Sequence, residues 1–301
     1  MTNLTPFMMD RVSIFKTYKL YIGGQFPRTE SGRFYPLQNA KKEVIANMCL
    51  SSRKDFRNAV QAARGAQTSW SERAAYNRSQ ILYRIAEIME GRRAQFIEEL
   101  MLQGASQKQA DKEVSLSIDR CVYYSGWCDK YQQLFSAVNP VSSSHFNFSV
   151  TEPMGVVAVI APEETSLLGL VSVVLPVIAG GNTCVVLASE SKPLCSITWG
   201  EVLATSDLPG GIVNILTGTA KELASHYASH MDVNAIVYCR GDQHEMKSLS
   251  ALSAGNVKRS REWQKNWEDA ASANPYLIMD LQEVKTTWHP IEQIGVSGAK
   301  Y

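Results

Sequence analysis

The spacing of apolar residues changes from helical to strand-like near residue 140. In the first third, apolar residues recur three or four positions apart: Phe56, Val60 and Ala63 lie at i, i+4 and i+7. Asp55 and the neighbouring serines are typical of a helix start at the head of this pattern. A short segment before it, "KLYIGGQF", predicts a strand, a Gly-Gly turn and an apolar return. The spacing predicts that the first third of the chain is mainly amphipathic helix.

Strand-like patterns dominate after the turn-forming segment "NPVSSS" (139–144). In "HFNFSVTEP" (145–153), apolar Phe146, Phe148 and Val150 alternate with polar residues, which is typical of a β-strand with one apolar face. From Gly155 onward, four apolar runs alternate with helix-like runs; they are "GVVAVIA", "TCVVLAS", "IVNILTG" and "AIVYCRG". This alternation predicts an α/β fold with a doubly wound parallel sheet.

The composition is that of an ordinary globular protein, and the net charge argues against two classes of binding partner. The 301 residues carry a net charge of +1, from 30 basic and 29 acidic side chains. Nucleic-acid and membrane-surface binding need a basic excess, so we expect neither partner. No apolar run reaches 18 residues, and the leader "MTNLTPFMMDRV" lacks the pattern of a signal peptide. We therefore expect a cytoplasmic protein.

The cysteines and histidines do not form a recognisable metal or disulfide pattern. The six cysteines are scattered, without a Cys-x-x-Cys pair, which favours reduced thiols. His226 and His230 lie at i and i+4, the spacing of two ligands on one helix face. No third ligand lies near them in the sequence, so we interpret the pair as a helix-surface feature and predict no metal site.

Eight segments, in order, resemble the first half of aldehyde dehydrogenases. They are "LYIGGQF", "DFRNAVQAAR", "YYSGWCDKY", "TEPMGVVAVIAP", "LPVIAGGNTCVVLAS", "DLPGGIVNILTG", "SHMDVNAIVY" and "SAGNVK". The resemblance covers roughly Lys19 to Lys258 and implies a Rossmann-type NAD-binding domain with a β-hairpin oligomerisation arm. The pattern is most similar to the shortened second unit of family-16 aldehyde dehydrogenases, which is regarded as a non-catalytic pseudo-domain.

The resemblance also implies how the chain is organised. We expect an N-terminal helical part over 1–137, an oligomerisation arm over 138–154, a Rossmann-like core over 155–280 and a C-terminal tail over 281–301. The family's catalytic domain and its nucleophilic cysteine follow this half, so the resemblance implies that the catalytic domain is missing here. The charged segment Lys258–Asp269 is interpreted either as a solvated helix or as a partner-facing surface.

The family's oxyanion motif, Pro-Trp-Asn-Phe-Pro, falls at the corner after the strand "GVVAVIA". Counting back nineteen residues from Gly181 places Pro162 in that motif, with Glu163 and Glu164 in place of the tryptophan and asparagine. An ionised carboxylate only accepts hydrogen bonds, so it cannot replace the amide donor of the asparagine. We interpret the two glutamates as relaxed constraint; the alternative is a metal-binding or acid/base pair, which their opposite directions in a strand disfavour.

Several positions that contact NAD in the family are altered. Ala188 stands where a lysine bonds the adenosine ribose, although Glu190 retains a ribose-contacting carboxylate in the resemblance. Gly218 is kept in the next turn, but Ala220 and Ala224 stand where the family has glycines, and each added Cβ intrudes on a pyrophosphate. If NAD binds at all, the resemblance assigns it to Pro162, Glu190, Gly218 and Arg240, and we predict no bound cofactor.

The corner after "AIVY" replaces the family's Phe-Thr-Gly-Ser with Tyr238 to Gly241. Arg240 stands in place of a glycine, and it either clamps a phosphate or fills the vacated nicotinamide slot; we favour the second interpretation. Cys239 is interpreted as a packed strand-end thiol rather than a reactive one, because it is not at the nucleophile's position. The family's general base matches Asp269, or Glu268 after a one-residue shift.

These substitutions affect every chemical role, so we assign no catalytic residue. We expect an inactive aldehyde-dehydrogenase-like scaffold that forms a dimer with itself, binds a full-length aldehyde dehydrogenase, or both. The unpaired edge of the arm strand and apolar surface left by the missing domain motivate that expectation. The alternatives are an NAD(P)-dependent aldehyde oxidoreductase completed by another chain and a regulatory subunit that senses NAD.

Overall fold

A computed structural model describes residues 14–291 of the protein. The helices are Arg53–Ser71 (α1), Ala75–Gly91 (α2), Arg93–Leu102 (α3), Gln107–Ser125 (α4), Tyr131–Phe135 (α5), Leu168–Ala179 (α6), Leu194–Ala204 (α7), Ala220–Ser229 (α8), Gln243–Ser253 (α9) and Tyr276–Met279 (α10). The strands are Thr17–Tyr18 (β1), Phe34–Gln38 (β2), Val44–Cys49 (β3), Ala137–Asn139 (β4), His145–Pro153 (β5), Val156–Ile160 (β6), Thr183–Leu187 (β7), Val213–Leu216 (β8), Ala235–Tyr238 (β9), Arg259–Glu262 (β10) and Gln282–Pro290 (β11). The prediction about the leader lies outside the described residues.

The predicted parallel sheet is confirmed as a five-stranded sheet in the order β10-β9-β6-β7-β8. Every residue of β6 to β9 is buried, which explains why these strands appear in the sequence as continuous apolar runs. Val157 and Val159 of β6 face one apolar cluster, and Val156, Ala158 and Ile160 face another. The sheet therefore has an apolar layer on each face.

Helix α1 begins where the sequence predicts. Ser52 accepts from Asp55 N, and the Asp55 carboxylate accepts from Ser52 N at 2.7 Å, so the two residues form a capping box. The apolar residues Phe56, Val60 and Ala63 of this helix are buried against the sheet. The helical part of the prediction is confirmed, and the capping residues set the start of the helix.

The sequence interpretation missed a three-stranded sheet near the amino terminus, in the order β1-β3-β2. Its alternation is visible in β2, where Phe34 is exposed and Leu37 is buried. The predicted Gly-Gly turn is present: Gly23 and Gly24 have φ of +63° and +79°, and Ile22 and Gln25 bridge across it. Both residues of such a two-residue turn need positive φ, which glycine adopts without strain.

The arm is a three-stranded antiparallel sheet, here called the arm sheet, in the order β11-β5-β4. The expectation that β5 has an unpaired edge is wrong, because residues 147–149 pair with β4 on one side and with β11 on the other. The partner on the second side is the chain's own tail, which pairs from Gln282↔Pro153 to Pro290↔His145. A strand more than 130 residues later in the chain thus completes the arm sheet.

The interpretation of Lys258–Asp269 as a solvated helix is wrong. Its first residues form β10, the edge strand that pairs in parallel with β9. The two tryptophans that follow, Trp263 and Trp267, are buried in the larger apolar cluster. Arg120 of α4 donates to Trp267 O at 3.1 Å and to Asp269 O at 2.7 Å. The two tryptophans therefore belong to the core of the protein and not to its surface.

Within residues 14–291, helices that combine the length and the apolar character needed to cross a bilayer are absent. The most apolar helix is α6, which has twelve residues, all buried in the protein.

Candidate functional site

The carboxyl ends of the adjacent strands β9, β6 and β7 hold three of the four predicted site residues and Glu163, and the fourth, Gly218, follows the next strand, β8. Pro162 and Glu163 follow β6, Glu190 follows β7, and Arg240 follows β9. The space between these three strand ends is called the crevice below. Strands β6 and β9 are neighbours although β7 and β8 lie between them in sequence, so the winding of the sheet reverses there. Open α/β sheets bind their ligands outside such a reversal point.

Arg240 crosses the crevice and is paired within it. Its Nη1 lies 2.6 Å from Glu190 Oε1, and its Nη2 lies 3.3 Å from Glu163 Oε2. Its Nε and Nη2 also donate to the main-chain oxygens of Ala161 and Ala188, each at 3.2 Å. The side chain is only 11% exposed. One guanidinium therefore connects the ends of β9, β6 and β7.

Glu163 is held by several donors of the chain itself. It accepts from Ser189 Oγ at 3.1 Å, from Glu190 N at 3.0 Å and from Ser191 N at 2.7 Å. Burial by itself raises the pKa of this carboxyl, but the hydrogen bonds from Glu190 and Ser191 and the charge of Arg240 outweigh burial and lower it. Glu163 is therefore an ionised structural acceptor.

Glu164 does not act together with Glu163. The two residues lie in a bend between β6 and α6 rather than at a strand end, and Glu164 is exposed. Its main-chain oxygen accepts from Lys192 Nζ at 2.6 Å. Among residues 14–291, the two carboxylates have no hydrogen-bond partner in common.

Two helix N-termini beside the crevice are bonded to carboxylates from other parts of the chain. Glu190 Oε1 accepts from Ala220 N, the first residue of α8, at 2.6 Å. Glu113 Oε1 of α4 accepts from Leu167 N at 2.8 Å and from Leu168 N at 3.1 Å, at the start of α6. Sequence reasoning missed Glu113, because it lies 54 residues before its partner and has no local signal.

Gly218 is required by packing against the chain rather than by an open site. Its φ is +148°, and a Cβ placed there would lie 3.3 Å from the main-chain nitrogen of Ser51. Ser51 N donates to Thr217 O at 2.9 Å, which brings the start of α1 close to this turn. Ala220 and Ala224, which replace glycines of the family, are buried.

All six cysteines are buried. Cys239, at the end of β9, is 3% exposed, and burial raises the pKa of its thiol, which disfavours the reactive thiolate. The structure therefore fits the interpretation of Cys239 as a packed thiol.

The other candidate acids are engaged elsewhere. Glu268 lies 2.6 Å from Lys112 in an exposed ion pair, and the Asp269 side chain accepts from Ala271 N at 2.9 Å. Glu268 also lines a cavity of about 230 Å³ together with Glu113 and Glu164, beside the turn that follows β6, whereas Asp269 is not part of its lining. Over residues 14–291, His226 and His230 are not joined by a third side chain into a group that could hold a metal ion.

The strand order, the crevice and its position define the class of dinucleotide-binding α/β folds. A model of the "Aldehyde dehydrogenase family" matches residues 27–261, and the chain belongs to this family. It is 31% identical over 245 residues to aldehyde dehydrogenase family 2 member B4 of Arabidopsis thaliana, covering 80% of this chain and 45% of that protein. It is 29% identical over 250 residues to human retinal dehydrogenase 2, covering 81% and 48%.

The fold similarity extends to a relative solved with a coenzyme. The NAD⁺ complex of an aldehyde dehydrogenase from Bacillus cereus superposes with a TM-score of 0.77 at 26% identity, covering 82% of this chain and 50% of that one. The chain therefore spans about half the length of the relatives it matches.

The residues of the crevice do not fit a dinucleotide as they stand. A pyrophosphate needs free N–H donors and positive charge, whereas Ala220 N and Arg240 are already bonded to Glu190. The two carboxylates, Glu163 and Glu190, would also repel it.

Proposed function

We propose that this chain is a non-catalytic subunit of the aldehyde dehydrogenase family that acts through assembly. Its partner is a second copy of itself, a catalytic aldehyde dehydrogenase, or both. The observation that carries the proposal is the apolar face of the arm sheet. Large apolar patches are rare on the surface of monomers and usually mark an interface.

The arm sheet carries its apolar side chains on the outside. Val138 is 68% exposed and Phe146 is 46% exposed, while Asn147 and Thr151, polar residues of β5, are buried. Val138 pairs with Phe148 across the strands, and with Val150 they line a groove of about 350 Å³. A strand that packed its apolar side inward would show the opposite pattern. The arrangement therefore suits a surface that is covered in an assembly.

The chemistry of the crevice supports the non-catalytic part of the proposal. A nucleophilic cysteine needs an accessible thiolate, and burial opposes the thiolate at Cys239. An oxyanion needs a hydrogen-bond donor, and Glu163 and Glu164 stand where the family resemblance places the donor motif.

Light scattering during size-exclusion chromatography tests the assembly directly. We expect the purified chain to elute as a dimer, or to join a co-expressed aldehyde dehydrogenase. Phe146→Asp places a charge on the apolar face and should release the monomer. Met231→Asp is the control, because Met231 is likewise an exposed apolar residue (68%, against 46% for Phe146) but lies outside the arm. A chain that stays monomeric and ignores the enzyme would contradict the proposal.

Two alternatives remain distinguishable by experiment. If another chain supplies missing parts to an NAD(P)-dependent oxidoreductase, the mixture should oxidise aldehydes, and Cys239→Ala should abolish turnover only if this thiol acts. A regulatory NAD sensor would bind NAD⁺ at micromolar concentrations without turnover. The NAD⁺ complex of the Bacillus cereus relative is the observation that favours the NAD sensor as an alternative function.

A further inference from the structure

One carboxylate oxygen in the crevice has two strong donors that are typical of a phosphate site. Glu190 Oε1 lies 2.6 Å from the first N–H of α8, at Ala220, and 2.6 Å from Arg240 Nη1. Helix α8 has ten residues, so its N-terminus carries a developed partial positive charge. Proteins commonly hold a phosphate by directing a helix N-terminus and a guanidinium at the same oxygen. Here the oxygen belongs to the protein.

The position of this contact matters as much as its chemistry. Arg240 reaches from the end of β9 to Glu163 after β6 and to Glu190 after β7, so the pairs span the reversal point of the sheet. Gly241, the residue after Arg240, has φ of +72°, and Gln264 leaves no room for a side chain at that position. A ligand entering the crevice would have to displace these side chains.

Helix α6, which connects β6 to β7, also has an internal carboxylate at its N-terminus. The N–H groups of Leu167 and Leu168, at the start of α6, are bonded to Glu113. That carboxylate comes from α4, outside the strand–helix units of the sheet. Two separate helix starts that could receive an anion thus receive an internal carboxylate.

We propose that Glu190, held by Arg240 and α8, is a built-in occupant of the crevice that takes the place of a ligand phosphate and closes the crevice to NAD⁺. The carboxylate supplies the negative charge that the helix start and the guanidinium attract. A dinucleotide would have to displace that charge from both donors and then lie beside Glu163. This inference does not depend on the assembly proposal, since a chain with a closed crevice could be a monomer or a subunit.

Calorimetric titration of the wild-type chain with NAD⁺, NADH and inorganic pyrophosphate tests the closure. We expect no saturable binding below about 5 mM, because each ligand must displace the Glu190 carboxylate from donors whose charge it already neutralises. Micromolar binding of NAD⁺ by the wild-type chain would overturn the proposal, and it would leave the oligomeric state as a separate question. This measurement needs no variant and therefore no assumption about folding.

The variant Glu190→Ala tests whether the carboxylate is the occupant. It frees the N–H of Ala220 and the Nη1 of Arg240, while the Arg240 pair with Glu163 remains. Pyrophosphate should therefore bind at least about tenfold more tightly than to the wild type. Glu222→Ala is the matched control, because Glu222 lies in the first turn of the same helix and pairs with the exposed Arg33. If a folded Glu190→Ala chain, judged by its circular dichroism, gains no pyrophosphate affinity, the proposed role of Glu190 is wrong.

Discussion

Arg240 and Glu190 form a 2.6 Å ion pair in which the arginine side chain is 11% exposed. Arg33 and Glu222 form a pair of the same length, but there the arginine is 42% exposed. Water and salt screen the second pair, whereas the first loses much of that screening. Because the arginine is largely shielded from solvent, removal of one partner leaves the others with poorly compensated charge.

Arg240→Gln should therefore destabilise the protein by about 1–3 kcal/mol, because Glu163 and Glu190 lose their common cation. Arg33→Gln, at the exposed pair, should cost less than about 1 kcal/mol. Urea unfolding followed by circular dichroism measures both free energies of unfolding. Equal losses in the two variants would show that burial does not distinguish the pairs.

Asp55→Asn should remove an acid-sensitive part of the stability. Asp55 accepts from Thr29 Oγ1 at 2.6 Å, from Glu30 N at 2.8 Å and from Ser52 N at 2.7 Å. Burial raises the pKa of this carboxyl, but these hydrogen bonds outweigh burial and lower it from the ordinary 3.8. The folded state thus binds the proton less readily, so the stabilisation is present above pH 3.8 and is lost as the pH falls through the lowered pKa.

At neutral pH we expect Asp55→Asn to cost about 1–3 kcal/mol, because an amide nitrogen cannot accept the bonds that the second oxygen receives. The cost should shrink below about pH 4, where the wild type also loses the ionised group. The exposed Asp119 provides the control variant Asp119→Asn. Denaturant unfolding between about pH 2.5 and 7, the range that brackets carboxyl titration, measures the free energy of unfolding of both variants. The prediction is refuted if the stability loss of Asp55→Asn depends on pH in the same way as that of Asp119→Asn.

Lys258→Met should stabilise the protein at neutral pH. Lys258 is 8% exposed, and burial lowers the pKa of its amine from 10.5 to about 8. The unfolded chain therefore holds the proton more strongly between these values, so wild-type stability should rise as the pH increases from 8 to 10.5. Its Nζ donates to His230 O, but that oxygen also accepts from Val233 N. The carbonyl of His230 therefore keeps a donor in the variant.

The expected gain for Lys258→Met is about 1–3 kcal/mol at pH 7, and the rise toward alkaline pH should flatten. Lys247→Met at an exposed position of α9 should change neither property. Thermal unfolding across about pH 7 to 10.5, the range over which amines titrate, measures both effects. A Lys258→Met chain that is less stable than the wild type at pH 7 would contradict the prediction.

Two glycine-to-alanine variants should have opposite effects. Gly65 lies inside α1, and among the described residues no heavy atom lies within 4 Å of the place that a Cβ would take. Gly65→Ala should therefore stabilise the helix by about 0.5–1 kcal/mol. At Gly210, a Cβ would overlap the main-chain oxygen of Gly23 and lie 3.2 Å from Gly24 Cα. Gly210→Ala should destabilise by about 1–3 kcal/mol. Melting temperatures that move in the same direction would refute this account of the turn.

The sequence predicted best those elements whose buried positions can be recognised from the pattern of neighbouring residues. Strands β6 to β9 are continuous apolar runs because both of their faces are covered, and α1 has its cap and its apolar face within a few residues. Strand β10 escaped prediction because "RSRE" carries no apolar pattern. It is a strand because the edge of β9 is available to pair with it.

The candidate site was located by sequence but not explained by it. The resemblance pointed to Pro162, Glu190, Gly218 and Arg240, and all four lie just after the ends of the adjacent strands β6, β7, β8 and β9. Gly218, after β8, packs against Ser51, just before the start of α1. Whether Arg240 clamped a ligand or filled a slot depended on which side chains the fold brought to it. The capping role of Glu113 had no sequence signal at all.

By itself, the sequence determined the family, the parallel sheet and the helical first third, because periodic burial and short motifs are properties of neighbouring residues. The tertiary structure decided that the tail completes the arm sheet and that Arg240 joins Glu163 to Glu190. Those contacts connect residues 50 to more than 130 positions apart. They arise only when the crossovers of the sheet bring distant chain segments together, and no local pattern encodes that meeting.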